Sequence, residues 1–256
     1  MSISSQRIVG VIPARFGSTR FPGKLLAILG DRTVLHHVHD RALQARRLDS
    51  VLVAVDDERI LREVLSFGGQ AVMTSASHRS GTDRIAEAVE SLDPGFRFVI
   101  DIQGDEPFLD PATIDQIAAC LSDDPSSLWT AVAPLRDEAA LASPDVVKAV
   151  VAGDGRVLYF SRAPVPYSRG GVEAWATRRH HIGIYGYSRE QLLGFVRLPR
   201  SPLEEAEGLE QLRALEGGIP IRAVTVRPAF GGIDTKEDLD RARRFLETAG
   251  PQGGNG

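Results

Sequence analysis

The loop after the first strand-like segment contains two basic residues and two glycines, Arg15, Lys24, Gly17 and Gly23. Exposed backbone N–H groups beside a guanidinium and an ammonium are suited to binding a polyphosphate. The loop is not a P-loop, because five residues rather than four separate the glycines and Leu25 replaces the magnesium-binding Ser or Thr. The alternative is a solvated loop in which the glycines serve only the backbone.

Asp105 and Asp234 are carboxylates at positions where a cation could bind. Asp105 follows Gly104, which permits a sharp turn after a predicted strand, and Asp234 lies just before a predicted helix. One or two carboxylates together with phosphate oxygens are the ligands that Mg²⁺ usually takes in proteins. Ordinary turn and helix-capping roles are the alternatives. A shared metal requires the two loops to be adjacent, which the sequence alone does not establish.

A third polar loop, at 77–84, opens another predicted helix and includes His78, Arg79, Ser80 and Gly81. Its hydroxyl and guanidinium groups could donate hydrogen bonds to a nucleotide base or to an acid. The alternative is that Ser80 or Thr82 simply caps the helix.

These loops need a scaffold that brings them together. In the first half of the chain, apolar β-branched segments alternate with helical patterns; strands are predicted at 8–12, 51–55, 71–73, 98–102 and 128–133. The alternation predicts a mostly parallel sheet, and the continuously apolar strands indicate that helices cover both of its faces. In such a sheet ligands bind beyond the carboxyl ends of the strands, where the loops of Arg15 and Asp105 lie.

The second half of the chain has a less regular pattern. We predict a hairpin around Gly153–Gly155, a strand at 182–187, one helix from Pro202 to the glycines at 217–218, a strand at 221–226 and a final helix opened by Thr235. We therefore expect one domain over 1–249 with an inserted subdomain at 150–220, followed by a disordered tail at 250–256.

Composition excludes several classes of protein. The 256 residues carry a net charge of −4, which argues against a nucleic-acid partner. The single cysteine, Cys120, excludes a disulfide framework. No apolar run is long enough to span a bilayer, and the N-terminus lacks the apolar core of a signal peptide, so we expect a cytoplasmic protein that does not bind membranes.

Several motifs, in order along the chain, resemble those of the sugar cytidylyltransferases, and most closely the 3-deoxy-manno-octulosonate (Kdo) cytidylyltransferase family. The first motif comprises residues 12–15 and 18–24, and the second of these two ranges includes Thr19. The others are 73–74, His78, 80–84, 103–107, 159–162, 181–187, 202–204, 209–213 and 232–235.

This resemblance implies a three-layer α/β/α fold like that of the nucleotide-diphospho-sugar transferases, with a mostly parallel mixed sheet and a smaller inserted dimerisation or lid subdomain. It implies a homodimer that uses Mg²⁺, CTP and Kdo and forms CMP-Kdo and pyrophosphate for lipopolysaccharide synthesis. Such nucleotidyl transfer depends on positioning and charge neutralisation, and it needs no nucleophilic side chain.

The resemblance also implies roles for individual residues. Arg15 and Lys24 would bind the triphosphate, and Asp105 and Asp234 would hold magnesium; these four are the expected catalytic residues. The nucleotide site would comprise Ala14, Arg15, Lys24, Met73, Thr74, His78, Arg79, Ser80 and Gly81. The sugar site would comprise Gln103, Arg162, His181, Tyr185, Glu210 and Gln211.

Two alternatives remain at this stage. One is a cytidylyltransferase for another acid sugar, such as 8-amino-Kdo or a sialic acid, because the segment at 167–177 beside the expected sugar pocket is shorter than in relatives. The other is a non-catalytic nucleotide-binding protein, although retention of Arg15, Lys24, Asp105 and Asp234 together argues against it.

Overall fold

A computed structural model of the protein describes residues 6–18, 20–135, 137–169, 176–228 and 230–249. The strands are β1 (Arg7–Ala14), β2 (Ile28–Leu29), β3 (Arg32–Thr33), β4 (Ser50–Val55), β5 (Ala71–Met73), β6 (Phe96–Ile102), β7 (Leu128–Pro134), β8 (Lys148–Val151), β9 (Val157–Ser161), β10 (Arg179–Ser188) and β11 (Ile221–Thr225). The α-helices are α1 (Val34–Leu43), α2 (Glu58–Ser66), α3 (Gly81–Glu90), α4 (Pro111–Asp123), α5 (Glu138–Ala142), α6 (Arg189–Phe195), α7 (Pro202–Glu207), α8 (Gln211–Glu216) and α9 (Lys236–Ala249). A short 3₁₀ helix spans Lys24–Leu26.

Most of the strands form one mixed sheet in the order β11-β7-β10-β6-β1-β4-β5, and β8 and β9 extend it beside β10. Strand β10 runs antiparallel to both of its neighbours, β6 and β7, whereas β1 pairs in parallel with β4 and β6. The predicted parallel architecture is therefore confirmed. The segment predicted as an inserted subdomain contributes β10 to the middle of this sheet.

Helices cover both faces of the sheet, which gives three layers. On one face Ile12 and Val53 pack in a cluster with side chains of α1, α2 and α4. On the other face Val9 and Val11 pack with side chains of α3, α6 and α8. Successive residues of one strand thus enter opposite cores, which explains why these strands are apolar at every position.

Two predicted boundaries are wrong. Strand β1 continues through Pro13, because its pairing with β6 ends at Val11 and only β4 remains beside the proline, opposite Ala54. The single helix predicted from Pro202 is two helices, since Gly208 adopts a left-handed conformation (φ 62°) and ends α7.

A small third cluster fixes the last helix. Leu29 and Val34 pack with Ile233, Leu239 and Ala242, so α9 lies against the β2–β3 hairpin region and the residues just before it are held in place. Among the described residues, none of the helices has the length and apolar character that crossing a membrane requires. The tail predicted at 250–256 lies outside the described residues, as do Thr19 and residues 170–175.

Candidate active site

Lys24 joins the two carboxylates that the sequence singled out. Its Nζ lies 2.5 Å from Asp105 Oδ2 and 2.8 Å from Asp234 Oδ1. Arg20 binds the other oxygen of Asp234, with Nη2 2.8 Å from Oδ2. The structure therefore brings together loops that are 81 to 210 residues apart, and the adjacency that a shared metal requires is present.

Backbone contacts hold Lys24, Asp105 and Asp234 together. The Ile233 N–H donates a 2.9 Å hydrogen bond to the Asp105 carbonyl oxygen, so the chain before α9 lies along the loop after β6. A Cβ atom on Gly104 would lie only 3.0 Å from the Pro13 carbonyl oxygen, so glycine permits this loop to approach the end of β1. Gly23, with φ 71°, starts the 3₁₀ turn that carries Lys24.

Charges at the site shift one another's pKa values. Burial lowers the pKa of Lys24, but the neighbouring Asp105 and Asp234 outweigh it, and the net change is upward. Burial raises the pKa of Asp234, but the hydrogen bond and charge of Lys24, with Arg20, outweigh it and lower the pKa. Burial, together with Asp105 and Asp234, raises the pKa of Glu106 to about 8. Both signs of charge thus meet at this edge, where Lys24 bridges the two carboxylates.

A cavity of about 200 Å³ opens above these residues. Among its lining residues are four cationic side chains, of Arg15, Lys24, Arg79 and Arg84, and two carboxylates, of Asp105 and Asp234. Ser80 and Gly81, at the start of α3, line the same cavity. The excess of cations makes it suited to a polyphosphate. We name it the charged cavity.

A buried ion pair, missed from the sequence, supports this cavity. Arg84 Nη2 lies 2.9 Å from Asp56 Oδ2, and both side chains are largely buried. Asp56 also accepts a 2.9 Å hydrogen bond from the Phe16 N–H, and Arg84 Nη1 donates to Thr74 Oγ1 at 2.6 Å. The pair therefore fixes the start of the loop that carries Arg15. The signal in the sequence was a charged residue, Asp56, directly after the predicted strand at 51–55.

Other residues predicted for the nucleotide site lie around the charged cavity rather than in its described lining. Ala14 is buried at the end of β1, and Thr74 lies beneath Arg84. Met73 is exposed at the end of β5. His78 Nε2 pairs with Glu87 of α3. Ser80 caps α3 by accepting from the Asp83 N–H at 3.0 Å, so the capping role and the cavity position coexist.

A second cavity, of about 270 Å³, lies on the opposite side of Gln103. It contains the predicted sugar-site residues Gln103, His181, Tyr185, Glu210 and Gln211, and also Asp101, which the prediction omitted. Arg162 is not among its described lining residues, because the guanidinium donates to the carbonyl oxygens of Glu207 (2.8 Å) and Pro144 (2.7 Å). We name this second cavity the neutral cavity.

Burial disfavours the charged forms of the histidine and tyrosine side chains in the neutral cavity. Burial and the neighbouring His180 lower the pKa of His181 to about 3, and its Nε2 lies 3.0 Å from Thr130 Oγ1. Burial and the carboxyl of Asp101 raise the pKa of Tyr185 well above its ordinary value. The cavity therefore presents neutral hydrogen-bonding groups on aromatic walls, which suits a hydroxyl-rich ligand.

Glu210 is held rigidly at the rim of this cavity. Thr82 Oγ1 donates to Glu210 Oε2 at 2.7 Å, and Arg213 Nη2 donates to Oε1 at 2.8 Å. Arg213 is buried and also pairs with Glu204, with Nε 3.0 Å from Oε2. These contacts connect the start of α3 with α7 and α8, so the rim is fixed from both sides.

The two cavities meet at Gln103 and Gly81, which line both of them. Two ligands bound in adjacent cavities would therefore meet at these residues. The arrangement is suited to a reaction between a polyphosphate and a polar, hydroxylated partner.

Several known proteins have sequences similar to that of this chain. The family model for cytidylyltransferases matches residues 9–221. The 3-deoxy-manno-octulosonate cytidylyltransferase of Myxococcus xanthus is 47% identical over 97% of this chain and all of its own length. That of Thermodesulfovibrio yellowstonii is 46% identical over 93% of this chain and 97% of its own.

Solved structures of related proteins also resemble the structure of this chain. A structure of CMP:2-keto-3-deoxy-manno-octonic acid synthetase complexed with CTP superposes with a TM-score of 0.90 at 39% identity, covering 95% of this chain and 99% of that one. The 4-diphosphocytidyl-2C-methyl-D-erythritol synthase of Anaerococcus prevotii shares the fold, with a TM-score of 0.65 at 15% identity, covering 94% of this chain and 99% of its own. The chain therefore belongs to the cytidylyltransferase family and, within it, to the 3-deoxy-manno-octulosonate cytidylyltransferases, which are nucleotidyltransferase enzymes.

Proposed function

We propose that the protein transfers CMP from CTP to the anomeric hydroxyl of Kdo and releases pyrophosphate. One observation carries the proposal: a charged cavity and a neutral cavity adjoin at Gln103 and Gly81. The relative solved with CTP is a synthetase of the same sugar nucleotide, which supports placing CTP in the charged cavity and Kdo in the neutral one.

The transfer is an in-line substitution at phosphorus. The anomeric oxygen of Kdo forms a bond to the α-phosphorus of CTP, and the bond from that phosphorus to the bridging oxygen of the pyrophosphate breaks. The bridging oxygen keeps the electron pair, and the hydroxyl proton is released to water. Such a reaction depends mainly on alignment and on stabilising negative charge.

The cationic side chains of the charged cavity bind the triphosphate and stabilise the leaving pyrophosphate. Arg15 and Arg79 are exposed at the mouth of this cavity, and Lys24 lies deeper. The triphosphate would therefore contact positively charged side chains at several points along its length. The Asp56–Arg84 pair acts indirectly, by holding the loop that carries Arg15.

Asp105 and Asp234 fit a divalent cation. Their carboxylates lie within reach of one ammonium, so the two loops that carry them are adjacent. Among the described residues no group of three or more His, Cys, Asp or Glu side chains forms a metal site, so phosphate oxygens would complete the coordination. When bound, Mg²⁺ supplies charge neutralisation for the phosphates.

The neutral cavity orients the sugar. Gln103, Gln211, His181 and Tyr185 supply donors and acceptors for hydroxyl groups. The His181 ring meets Phe160 edge to face and lies tilted against Tyr185, with centroids 4.9 and 5.4 Å apart. The His181 ring is therefore held between the rings of Phe160 and Tyr185. A rigid wall of this kind fixes the anomeric hydroxyl toward Gln103.

Pyrophosphate release tests the proposal. The protein with Mg²⁺ is given CTP, UTP or ATP, each with Kdo, with 8-amino-Kdo, with a sialic acid or with no sugar. We expect release only when CTP and Kdo are both present, and CMP-Kdo as the second product. Release with a different acid sugar alone would keep the mechanism and replace the substrate, whereas CTP binding without release in any mixture would favour a non-catalytic protein.

We also propose that the enzyme is a cytoplasmic homodimer. Leu209 and Leu212 of the predicted inserted subdomain are buried in the protein's own core. Leu158 in β9 and Leu203 in α7 are exposed apolar residues in the same half of the chain, and they support a contact on this side. Light scattering on the purified protein should give about twice the chain mass of 27.7 kDa; a value near the chain mass would contradict the dimer.

A further inference from the structure

We propose that Asp101 is a positioning residue, which orients the side-chain amide of Gln103 at the junction of the two cavities. The inference rests on the proposed function, since it concerns how the sugar hydroxyl is received there. None of the steps described so far uses Asp101.

Asp101 lies in the floor of the neutral cavity. It occupies the penultimate position of β6, opposite Tyr185 in the antiparallel register with β10. Only 1% of Asp101 is exposed. Its neighbours in the strand, Ile100 and Ile102, are apolar residues of the core. A carboxyl group in the interior of a strand that is otherwise apolar needs a specific partner.

Gln103 is that partner. Its Nε2 donates a 2.8 Å hydrogen bond to Asp101 Oδ1. An amide group carries its NH₂ and its carbonyl oxygen on opposite sides, so the bond to Asp101 fixes which of them faces away. With Nε2 bound below, Gln103 presents Oε1 as an acceptor toward a substrate hydroxyl.

The location of Gln103 makes this orientation matter. Gln103 lines both cavities, so its amide lies where the anomeric hydroxyl of the sugar and the α-phosphate of CTP would meet. A carbonyl oxygen there accepts from the hydroxyl, whereas an NH₂ group turned inward would not. Without Asp101 the amide could rotate, and the hydroxyl would lose its fixed acceptor.

The role requires an acceptor oxygen and no charge. Burial and the nearby Glu210 raise the pKa of Asp101, while the Gln103 hydrogen bond opposes this shift. A carboxyl group keeps a carbonyl-type oxygen in either protonation state, and so does an asparagine amide. Asp101→Asn should therefore preserve the contact, whereas Asp101→Leu should abolish it.

The experiment measures kcat and the KM values for Kdo and CTP in Asp101→Asn, Asp101→Leu, Gln103→Leu and the double variant with leucine at both positions. We expect Asp101→Asn to stay within about twofold of the wild type. Asp101→Leu should raise the KM for Kdo about tenfold, the size of one lost hydrogen bond, and leave the KM for CTP unchanged. The double variant should resemble Gln103→Leu alone, because the two side chains act as one unit.

Three results would overturn the inference. Asp101→Asn could lose as much activity as Asp101→Leu, which would show that the charge or proton of Asp101 is needed. The two leucine substitutions could multiply as independent effects. Asp101→Leu could also keep the wild-type KM for Kdo. Urea unfolding checks that each variant folds, and Asp101→Ala replaces Asp101→Leu if the latter does not. A wild-type enzyme without Kdo-dependent release would instead refute the proposed function, and this inference with it.

Discussion

The charged cavity and the neutral cavity lie side by side but treat ionisable groups in opposite ways. In the charged cavity, Lys24 and Asp234 are stabilised as ions, because each has an opposite charge within 2.8 Å. In the neutral cavity, His181 lies near the hydroxyl of Thr130, and burial keeps its imidazole neutral. The first cavity is suited to a multiply charged nucleotide, the second to hydroxyl groups.

The difference follows from position in the sheet. Arg15, Lys24 and Asp105 follow the ends of β1 and β6, and the carboxylates of Asp105 and Asp234 remain partly exposed. The neutral cavity is lined by four residues of β10 and by Asp101 of β6, strands that lie inside the sheet, so charge there is expensive to bury. One sheet thus supplies two environments within a short distance.

Replacing Lys24 tests the charged cavity and should have the largest effect. Lys24→Met removes the ammonium that lies between Asp105 and Asp234 and faces the phosphates. We expect turnover to fall about a thousandfold, since a preorganised cation at developing charge contributes on this scale. Steady-state pyrophosphate release measures the effect.

Lys236→Met is the matched control, because Lys236 is exposed at the start of α9 and is close in sequence to Asp234. It should retain wild-type turnover. Equal losses in the two variants would show that lysine charge in general, rather than Lys24 in the cavity, supports the reaction.

Replacing Lys148 tests the wall of the neutral cavity. Its buried Nζ donates to the carbonyl oxygens of Ser143 (2.8 Å), Val146 (2.7 Å) and Arg162 (2.5 Å), next to Val147, which lines that cavity. Lys148→Met leaves three carbonyl groups without this donor and should lower the free energy of unfolding by about 3 kcal/mol. Urea denaturation measures the loss.

Lys148→Met should also raise the KM for Kdo more than the KM for CTP, because the displaced wall belongs to the neutral cavity. The exposed Lys236→Met again serves as the control, with unchanged stability. Wild-type stability of Lys148→Met would mean that the three hydrogen bonds contribute nothing that water cannot replace.

The pH dependence of stability tests the neutrality of His181 and should be the smallest effect. Its pKa is about 3 in the folded protein, below the ordinary value of 6.5. Below pH 6.5 the unfolded chain therefore binds a proton that the folded protein does not, so stability falls as the pH falls from 6.5 toward 3. Between pH 7.5 and 5.5 this group alone should reduce stability by about 1.4 kcal/mol.

Comparison with His181→Gln isolates this contribution. Glu106, whose pKa is raised to about 8, changes stability in the opposite direction as the pH rises, but it does so in both proteins and cancels in the difference. The wild type should lose about 1.4 kcal/mol more than the variant over this interval. Parallel pH curves would show that His181 titrates normally in the folded protein.

Much of this arrangement could be predicted from the sequence. The strands at 51–55, 71–73 and 98–102 and the cap Ser80 follow from apolar runs and local side-chain chemistry, and the structure confirms them. Helix α6 was missed, although Ser188 and Gln191 form a capping box that signals its start. The helix break at Gly208 was missed because the apolar period continues past it.

The candidate site, like the fold, could be predicted only in part from the sequence. Lys24, Asp105 and Asp234 could be nominated individually, because each lies in a loop with suitable neighbours, but only the fold shows that they meet. Asp101 was missed although its partner, Gln103, lies only two residues away, and Lys148 was missed because its partners are backbone carbonyl groups. The available signal was a charged residue inside an apolar strand, which requires compensation once the strand is buried.

The division of labour between the two cavities is the central claim, and crossed KM measurements test it most directly. The KM values for CTP and for Kdo are measured in Lys24→Arg and in Tyr185→Phe. We predict that Lys24→Arg raises the KM for CTP and leaves that for Kdo nearly unchanged, and that Tyr185→Phe does the reverse. If either variant changes both KM values by the same factor, the two cavities do not bind the two substrates separately, and the account is wrong.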